Sequence, residues 1–394
     1  MSKTADIFIA LLRCAVTKKD EKIDLSEVDL EKLFRLANAH DLAHLVCYEL
    51  ERRGLIVEGD GGENRGTLGE GQVIDDFVEQ LDLAMFRHIN REIAVAKVRE
   101  VLEEEKIPFI ILKGTVIMDL YPEPWMRTSS DVDVLVSHDD FVRAVAAFKQ
   151  SGLVNFAETD HDLSFYTAEE FHIELHHSLI EDDRLPDTAK HLKNIWDYAK
   201  PLPDGKFEHT LADEMFYFYH IAHMAKHFKE SGCGIRYFMD IWVLNHATSF
   251  EKDRRNALLA DSGIKTFAEK AEKISEIWFS GAKPDPELDE IIDFLINGGI
   301  YGSLEYGTVL KRHRRGGRFA FYSYRLFMPY DKIKHLYPVL QKAPILLPIF
   351  WVVRWFKLLN PKVRGHVKRE ISIERSSDAP DAEKIEAMMK KLGI

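Results

Sequence analysis

KGTVIMDLYPEPWMRTSSDVDVLV, residues Lys113 to Val136, is the stretch from which the fold follows. The apolar run PFIIL, Pro108 to Leu112, leads into it as a strand and meets Lys113-Gly114-Thr115. A short helical segment, a proline-rich turn, Arg127 and Ser129-Ser130 come next, and a second strand carries Asp131 and Asp133. Residues i and i+2 of a strand share a face. Asp131 and Asp133 therefore project side by side, with Val132, Val134 and Val136 on the opposite, core-facing side. Two adjacent carboxylates repel unless a cation joins them, and Mg2+ is held by one or two carboxylates with phosphate oxygens and water at roughly 2.0–2.1 Å. Gly114 lets backbone approach a ligand closely. The start of the helix after it presents free N–H groups and a positive dipole end to a phosphate. Arg127 and Lys113 add positive charge nearby.

This stretch resembles the nucleotidyltransferase (DNA polymerase β-like) superfamily, in which Gly-Ser or a variant precedes a helix and Asp-x-Asp lies on the next strand. Gly114-Thr115 stands at the Gly-Ser position and Asp131-Val132-Asp133 at the Asp-x-Asp. More closely, LKG…LYPEPWMRTSSDVDVLV, FHIELHHSL, HMAKHF and GIRYFMDIWVL are similar to a bacterial group known as uncharacterised nucleotidyltransferase, from about Ile7 to Trp355. The resemblance implies an α+β fold: a polymerase β-like core, with a mixed sheet and flanking helices, plus N-terminal helices and a mostly helical C-terminal domain. It implies a Mg2+-dependent enzyme, with two ions and Mn2+ as the substitute. Such an enzyme transfers a nucleoside monophosphate from an NTP such as ATP to an acceptor hydroxyl and releases pyrophosphate. The metal-binding and catalytic residues would be Asp131, Asp133 and a third acid. Lys113, Gly114, Thr115, Arg127 and Ser130 would bind the nucleotide.

The third acid is sought on a neighbouring strand. FHIELH, Phe171 to His176, reads as a strand with Ile173 and Leu175 facing the core and His172, Glu174 and His176 on the other face. Glu174 is the candidate, and it would also help deprotonate the acceptor hydroxyl. A plain exposed strand acid paired to a base is the competing reading. Intact acids argue against a second reading of the whole chain, a non-catalytic nucleotide-binding or regulatory protein of the same fold.

The chain has 394 residues and a net charge of −12, with 65 acidic against 53 basic residues. A free-standing nucleic-acid binder normally shows a basic footprint, so the balance favours small or neutral partners, an NTP and a hydroxyl acceptor. That acceptor would be a sugar, an antibiotic-like molecule, a protein hydroxyl or an RNA end. Cys14, Cys47 and Cys233 are scattered and form no CxxC pair, which fits a reducing cytoplasm. The N-terminal run continues into an amphipathic pattern and reads as a first helix. No run reaches the ~18 apolar residues of a membrane span.

Five segments follow from the patterning. Residues 1–106 are helical, with a flexible Gly-rich loop at 54–72; Asp24-Leu-Ser26 is expected to cap a helix bearing Leu30, Leu33, Phe34 and Ala37 on one face. Residues 107–205 form the catalytic core, and 206–300 a helical domain expected to close over the site. On that domain His227, Arg236 and Asp240 are candidates for contacts to the acceptor or nucleotide. His220, His223 and His227 share a helical face; packing among aromatic residues is favoured over a zinc site. Arg236 and Asp240, four apart, also read as a surface ion pair worth under ~1 kcal/mol. Trp125 would pack or stack on a base. Residues 301–371 are basic and apolar, with KRHRRGGR at Lys311 to Arg318 and a Trp/Arg-rich segment at 338–358. That segment suits either a peripheral membrane contact, as in a surface-polymer or peptide-product pathway, or a buried hairpin. Residues 372–394 are a polar tail ending in a short helix.

Overall fold

Four helices open the chain in the computed structural model: α1 (Lys3–Thr17), α2 (Leu30–Ala39), α3 (Ala43–Arg52) and α4 (Gln72–Glu104). The structure describes residues 2–299 other than 27, 59–63, 67–70, 159–161, 170, 180–184, 204 and 231. Beyond them it describes 319, 323–324, 326–330, 333–334, 337, 339–357 and 379–394. Ser2 caps α1 by accepting from the Ala5 amide at 3.3 Å. The cap of α2 is Asp29, which accepts from the Lys32 amide at 3.0 Å. The expected cap at Asp24 instead closes a local turn onto Ser26. Within the Gly-rich stretch expected as a loop, β1 (Ile56–Glu58) and β2 (Asn64–Gly66) pair antiparallel; its remaining residues lie partly outside the description. No proline or glycine interrupts the 33-residue α4, and Phe77, Leu81, Ala84, Ala94, Val98 and Val101 bury one face of it.

Seven strands form one mixed sheet: β3 (Phe109–Ile111), β4 (Asp131–Val136), β5 (Val154–Glu158), β6 (Asp162–Tyr166), β7 (His172–His176), β8 (Ala199–Pro201) and β9 (Glu208–Leu211). Their order is β5-β6-β7-β4-β3-β9-β8. The pairs β4–β7 and β3–β9 are parallel; the other four are antiparallel. Between β3 and β4 lie a one-turn helix, α5 (Gly114–Ile117), and two 3-10 turns at Met118–Leu120 and Pro124–Met126. Helix α6 (Phe141–Gln150) follows β4, and Gly152 ends its exit turn at φ 89°.

Alternation decides the layers. Val132, Val134 and Val136 of β4 and Ile173 and Leu175 of β7 face a core filled by Val95, Val98 and Leu102 of α4 and Ala144 and Phe148 of α6. The opposite face of the same two strands carries the polar residues. Further helices are α7 (Pro186–Lys193), α8 (Asp213–Glu230), α9 (Ile235–Ala247), α10 (Lys252–Asp261), α11 (Lys265–Phe279) and α12 (Asp289–Gly298). Two compact units divide the chain: residues 1–226, 233–300 and 393, and residues 227–232, 301–392 and 394. Residues 206–300, expected as a helical domain, thus fall largely within the unit of the sheet. The expected boundary at 205 cuts the β8–β9 hairpin, which extends that sheet. The second unit contains α13 (Val339–Lys342), α14 (Leu347–Lys357) and α15 (Ala379–Leu392). The basic run 311–318 lies outside the described residues.

Two buried histidines tie loops to this body. His40 Nε2 lies 2.8 Å from the Ile296 carbonyl, and His44 Nε2 lies 3.0 Å from the Met126 carbonyl. Burial lowers both to about 4. Their folded values lie below the ordinary 6.5, so the stability they confer is present above pH 6.5 and is lost as pH falls toward 4. The loss amounts to about 2 kcal/mol per ring by pH 5. Replacing His44 by Gln keeps a donor for the Met126 carbonyl but removes the titration. Urea unfolding should show His44→Gln losing about 2 kcal/mol less than wild type between pH 7 and pH 5; equal losses would contradict the assignment.

Candidate functional site

The parallel pairing of β4 with β7 places Asp131 opposite His172 and Asp133 opposite Glu174. Because both strands alternate in step, Asp131, Asp133, His172, Glu174 and His176 crowd one face. Two triplets, Asp131–His172–Glu174 and Asp133–Glu174–His176, each bring ligand atoms within 4.8 Å of one another. Among the described residues no triplet includes His220, His223 or His227. His220 is buried and stands beside the Tyr237 ring and its carbonyl, in line with packing. His227 falls in the last turn of α8, within the second unit.

Asp133 is 3% exposed and its Oδ1 lies 2.6 Å from the donating Lys113 Nζ and 2.8 Å from His176 Nε2. Burial alone would raise the Asp133 carboxyl; the Lys113 ammonium and the His176 hydrogen bond outweigh it and hold the group well below the usual range. Burial works against the Lys113 charge as well, and Asp133 overcomes it, so the ammonium stays protonated. His176 likewise is raised, its burial outweighed by hydrogen bonds to Asp133 and Glu174. Glu174 is lowered, first by the His176 hydrogen bond. Asp131 is the exception. Burial and the neighbouring Asp133 charge push it up, while Lys113 and a 2.8 Å hydrogen bond from Ser129 Oγ only partly compensate.

Of the three carboxylates, Asp131 is the one whose neighbours compensate burial least. The donors are mainly carboxylate oxygens, the chemistry that hard divalent cations select. Asp131 with His172 and Glu174, and Asp133 with Glu174 and His176, are the two groups whose ligand atoms could hold such an ion. Lys113 also occupies φ 52°, a left-handed conformation uncommon outside glycine.

The nucleotide-binding residues expected between the strands are placed differently. Arg127 is half-buried and directs Nε and Nη2 to Asp240 at 3.3 and 3.0 Å and Nη1 to the Thr128 carbonyl at 3.3 Å. Tyr121 Oη donates to the same Asp240 at 2.8 Å. Arg236 does not pair with Asp240; it donates to Asp41 at 2.7 Å and to the Thr128 carbonyl at 2.8 Å. The surface ion pair expected between Arg236 and Asp240 is therefore replaced by two buried or half-buried attachments, both to the turn before Asp131. Ser130 is exposed, whereas Ser129 touches Asp131. The period of two puts Ser129 on the face of Asp131 and Asp133, a signal the residue pattern already contained. Thr115 is buried and its hydroxyl has no hydrogen-bond partner. Helix α5 is only four residues long, too short for the macrodipole expected to attract a phosphate. Trp125 packs edge-on against Tyr48 and His44, at ring-centre distances of 5.3 and 6.3 Å.

Gly114 has a structural reason of its own. A Cβ there would lie 2.0 Å from Arg127 Nη1 and 3.2 Å from Ser129 Oγ. The group that approaches this glycine is the Arg127 guanidinium.

The family described as Uncharacterised nucleotidyltransferase matches residues 26–280, an interval containing every residue of this site. No curated protein and no solved structure matches the chain.

Gly114→Ala should force Arg127 away from Asp240 and lower stability by about 1–3 kcal/mol, the usual cost of overpacking. Urea unfolding measures it, and an unchanged midpoint would contradict the Gly114–Arg127 contact.

Proposed function

Because the chain belongs to the uncharacterised nucleotidyltransferase family, we propose that it transfers a nucleoside monophosphate from an NTP to an acceptor hydroxyl and releases pyrophosphate. The observation that carries this reading is the β4–β7 register, which gathers Asp131, Asp133 and Glu174 on one face. These three would hold a divalent ion such as Mg2+, with Mn2+ as substitute. When bound, it would neutralise phosphate charge as in other metal-assisted transfers.

The chain's own residues have separable tasks. Asp131 and Glu174 present carboxylates to the cation. His176 keeps Glu174 ionised. Lys113 and His176 fix Asp133, and Lys113 places a permanent positive charge beside the phosphates. The Thr115 hydroxyl donates to a phosphate oxygen. Arg127, spent on Asp240, holds the turn and makes no phosphate contact. In the transfer, the acceptor oxygen forms a bond to the α-phosphorus as its proton passes to a carboxylate of this face. The bond to the bridging oxygen breaks, and pyrophosphate leaves with the electron pair.

One observation favours a second reading, nucleotide binding without transfer. Two ions about 3.5–4 Å apart share carboxylates between them, and Oδ1 of Asp133 is already committed to Lys113 and His176. Release of labelled pyrophosphate from an NTP in the presence of candidate acceptors separates the two readings.

Asp133→Asn is a poor probe of the chemistry, because it strands the half-buried Lys113 ammonium, removes a partner of the buried His176, and should destabilise the fold by several kcal/mol. Asp131→Asn and Glu174→Gln are cleaner. Thermal shifts with ATP, GTP, CTP and UTP should show a Mg2+-dependent rise with at least one nucleotide, equivalent to about 2.7 kcal/mol at a hundredfold excess over Kd. Both variants should lose that rise while keeping their own melting behaviour. No rise with any nucleotide, or an undiminished rise in both variants, would defeat the assignment.

A further inference from the structure

Residues 301–371 hold 15 Lys and Arg against three acidic residues, a net charge of +12 within a chain of net −12; the remainder carries −24. All of this basic segment belongs to the second compact unit. The same unit exposes an apolar row. Ile345, Ile349, Val352 and Val353 are 87%, 57%, 42% and 38% exposed. Their spacing of four, three and one residues, on the turn Pro344–Leu346 and α14, confines them to one side of the helix.

The tryptophans of α14 face elsewhere. Trp351 Nε1 donates to the Met328 carbonyl and Trp355 Nε1 to the Leu326 carbonyl, both at 2.8 Å. The Phe327 ring meets both indoles edge-on, at 5.2 and 5.7 Å. The helix is thus anchored through its indoles within its own unit, and the aliphatic row is left outward. Exposed aliphatic side chains in a strongly basic unit are unfavourable in water and have an obvious complement.

We propose that this unit docks on an anionic lipid surface, with Ile345, Ile349, Val352 and Val353 entering the headgroup region and the Lys and Arg of residues 301–371 meeting lipid phosphates. The charge matches: Lys and Arg near an anionic bilayer are drawn to its negative surface potential. The apolar row is what distinguishes lipid from nucleic acid, which is bound through stacked aromatic rings and phosphate contacts and offers aliphatic chains nothing to enter. Among the described residues no helix is long and apolar enough to cross a membrane, so the contact is peripheral. An amphipathic segment combined with basic charge supplies the two signals that stable attachment requires. This inference is independent of the transferase reading.

The test is co-sedimentation of the full chain with vesicles of phosphatidylglycerol and phosphatidylcholine, against vesicles of phosphatidylcholine alone. Binding should be at least about tenfold stronger to the anionic vesicles and should weaken as salt rises. Ile349→Asp/Val353→Asp should reduce it about tenfold or more, with circular dichroism unchanged. If that variant misfolds, Ile349→Ser/Val353→Ser serves the same comparison. Equal binding to both vesicle types, no binding to either, or full binding by the folded double variant would each overturn the proposal. Tighter binding to duplex or single-stranded nucleic acid than to anionic vesicles at the same salt would overturn it as well.

Discussion

Everything at the polar face depends on how buried negative charge is compensated. The parallel register of β4 and β7 sets Asp133 beside Glu174, and Asp131 one alternation away. Removing one partner from a buried charge pair costs about 3–5 kcal/mol, so each carboxylate needs a cation wherever the sheet excludes water. Lys113 and His176 meet that requirement for Asp133, and His176 reaches Glu174 as well, at 3.4 Å. Asp131 has only a serine hydroxyl and a share of Lys113. The two carboxylate–histidine groups of this face are ones that could hold a metal ion, and Asp131 is where added positive charge would compensate most.

A second tier of ion pairs holds the chain between the strands. Asp240 of α9 receives Arg127 and Tyr121; Asp41, between α2 and α3, receives Arg236, Arg87 and the Thr128 hydroxyl. Arg127 and Thr128 therefore connect the turn before Asp131 to the N-terminal helices on one side and α9 on the other. Burial is the largest single influence on the carboxyl of Asp240 and raises it, but Arg127, His220 and the Tyr121 hydroxyl together hold it below its ordinary value. The close seat of Arg127 on Gly114 brings the glycine turn into the same scaffold. Within this unit the helices after the sheet act as struts for the site's geometry.

Local periodicity made much of this legible. Alternation alone placed Asp131, Asp133 and Glu174 on polar faces and their valine, isoleucine and leucine neighbours in the core. The unbroken run before Pro108 marked α4. Pairing was not legible, because the partners of Arg127 and Arg236 lie 113 and 195 residues away in sequence. Without that knowledge Arg127 reads as a phosphate ligand, and Arg236 with Asp240 as a trivial surface pair. The β8–β9 hairpin was hidden for another reason. Its strands, AKP and EHTL, are too short to show a period and one ends in proline. The composition change near residue 205 therefore falls inside the hairpin. Likewise, the run after Gly114 has the composition of a helix but stops after one turn and passes into 3-10 geometry before Pro122.

The account stands or falls on whether the β4–β7 face holds a divalent cation. Anomalous diffraction from crystals soaked in Mn2+ tests it most directly. The account predicts a peak within coordination distance of Asp131 and Glu174, with Lys113 still on Oδ1 of Asp133. No peak on that face, or a peak only at residues away from it, would contradict the account.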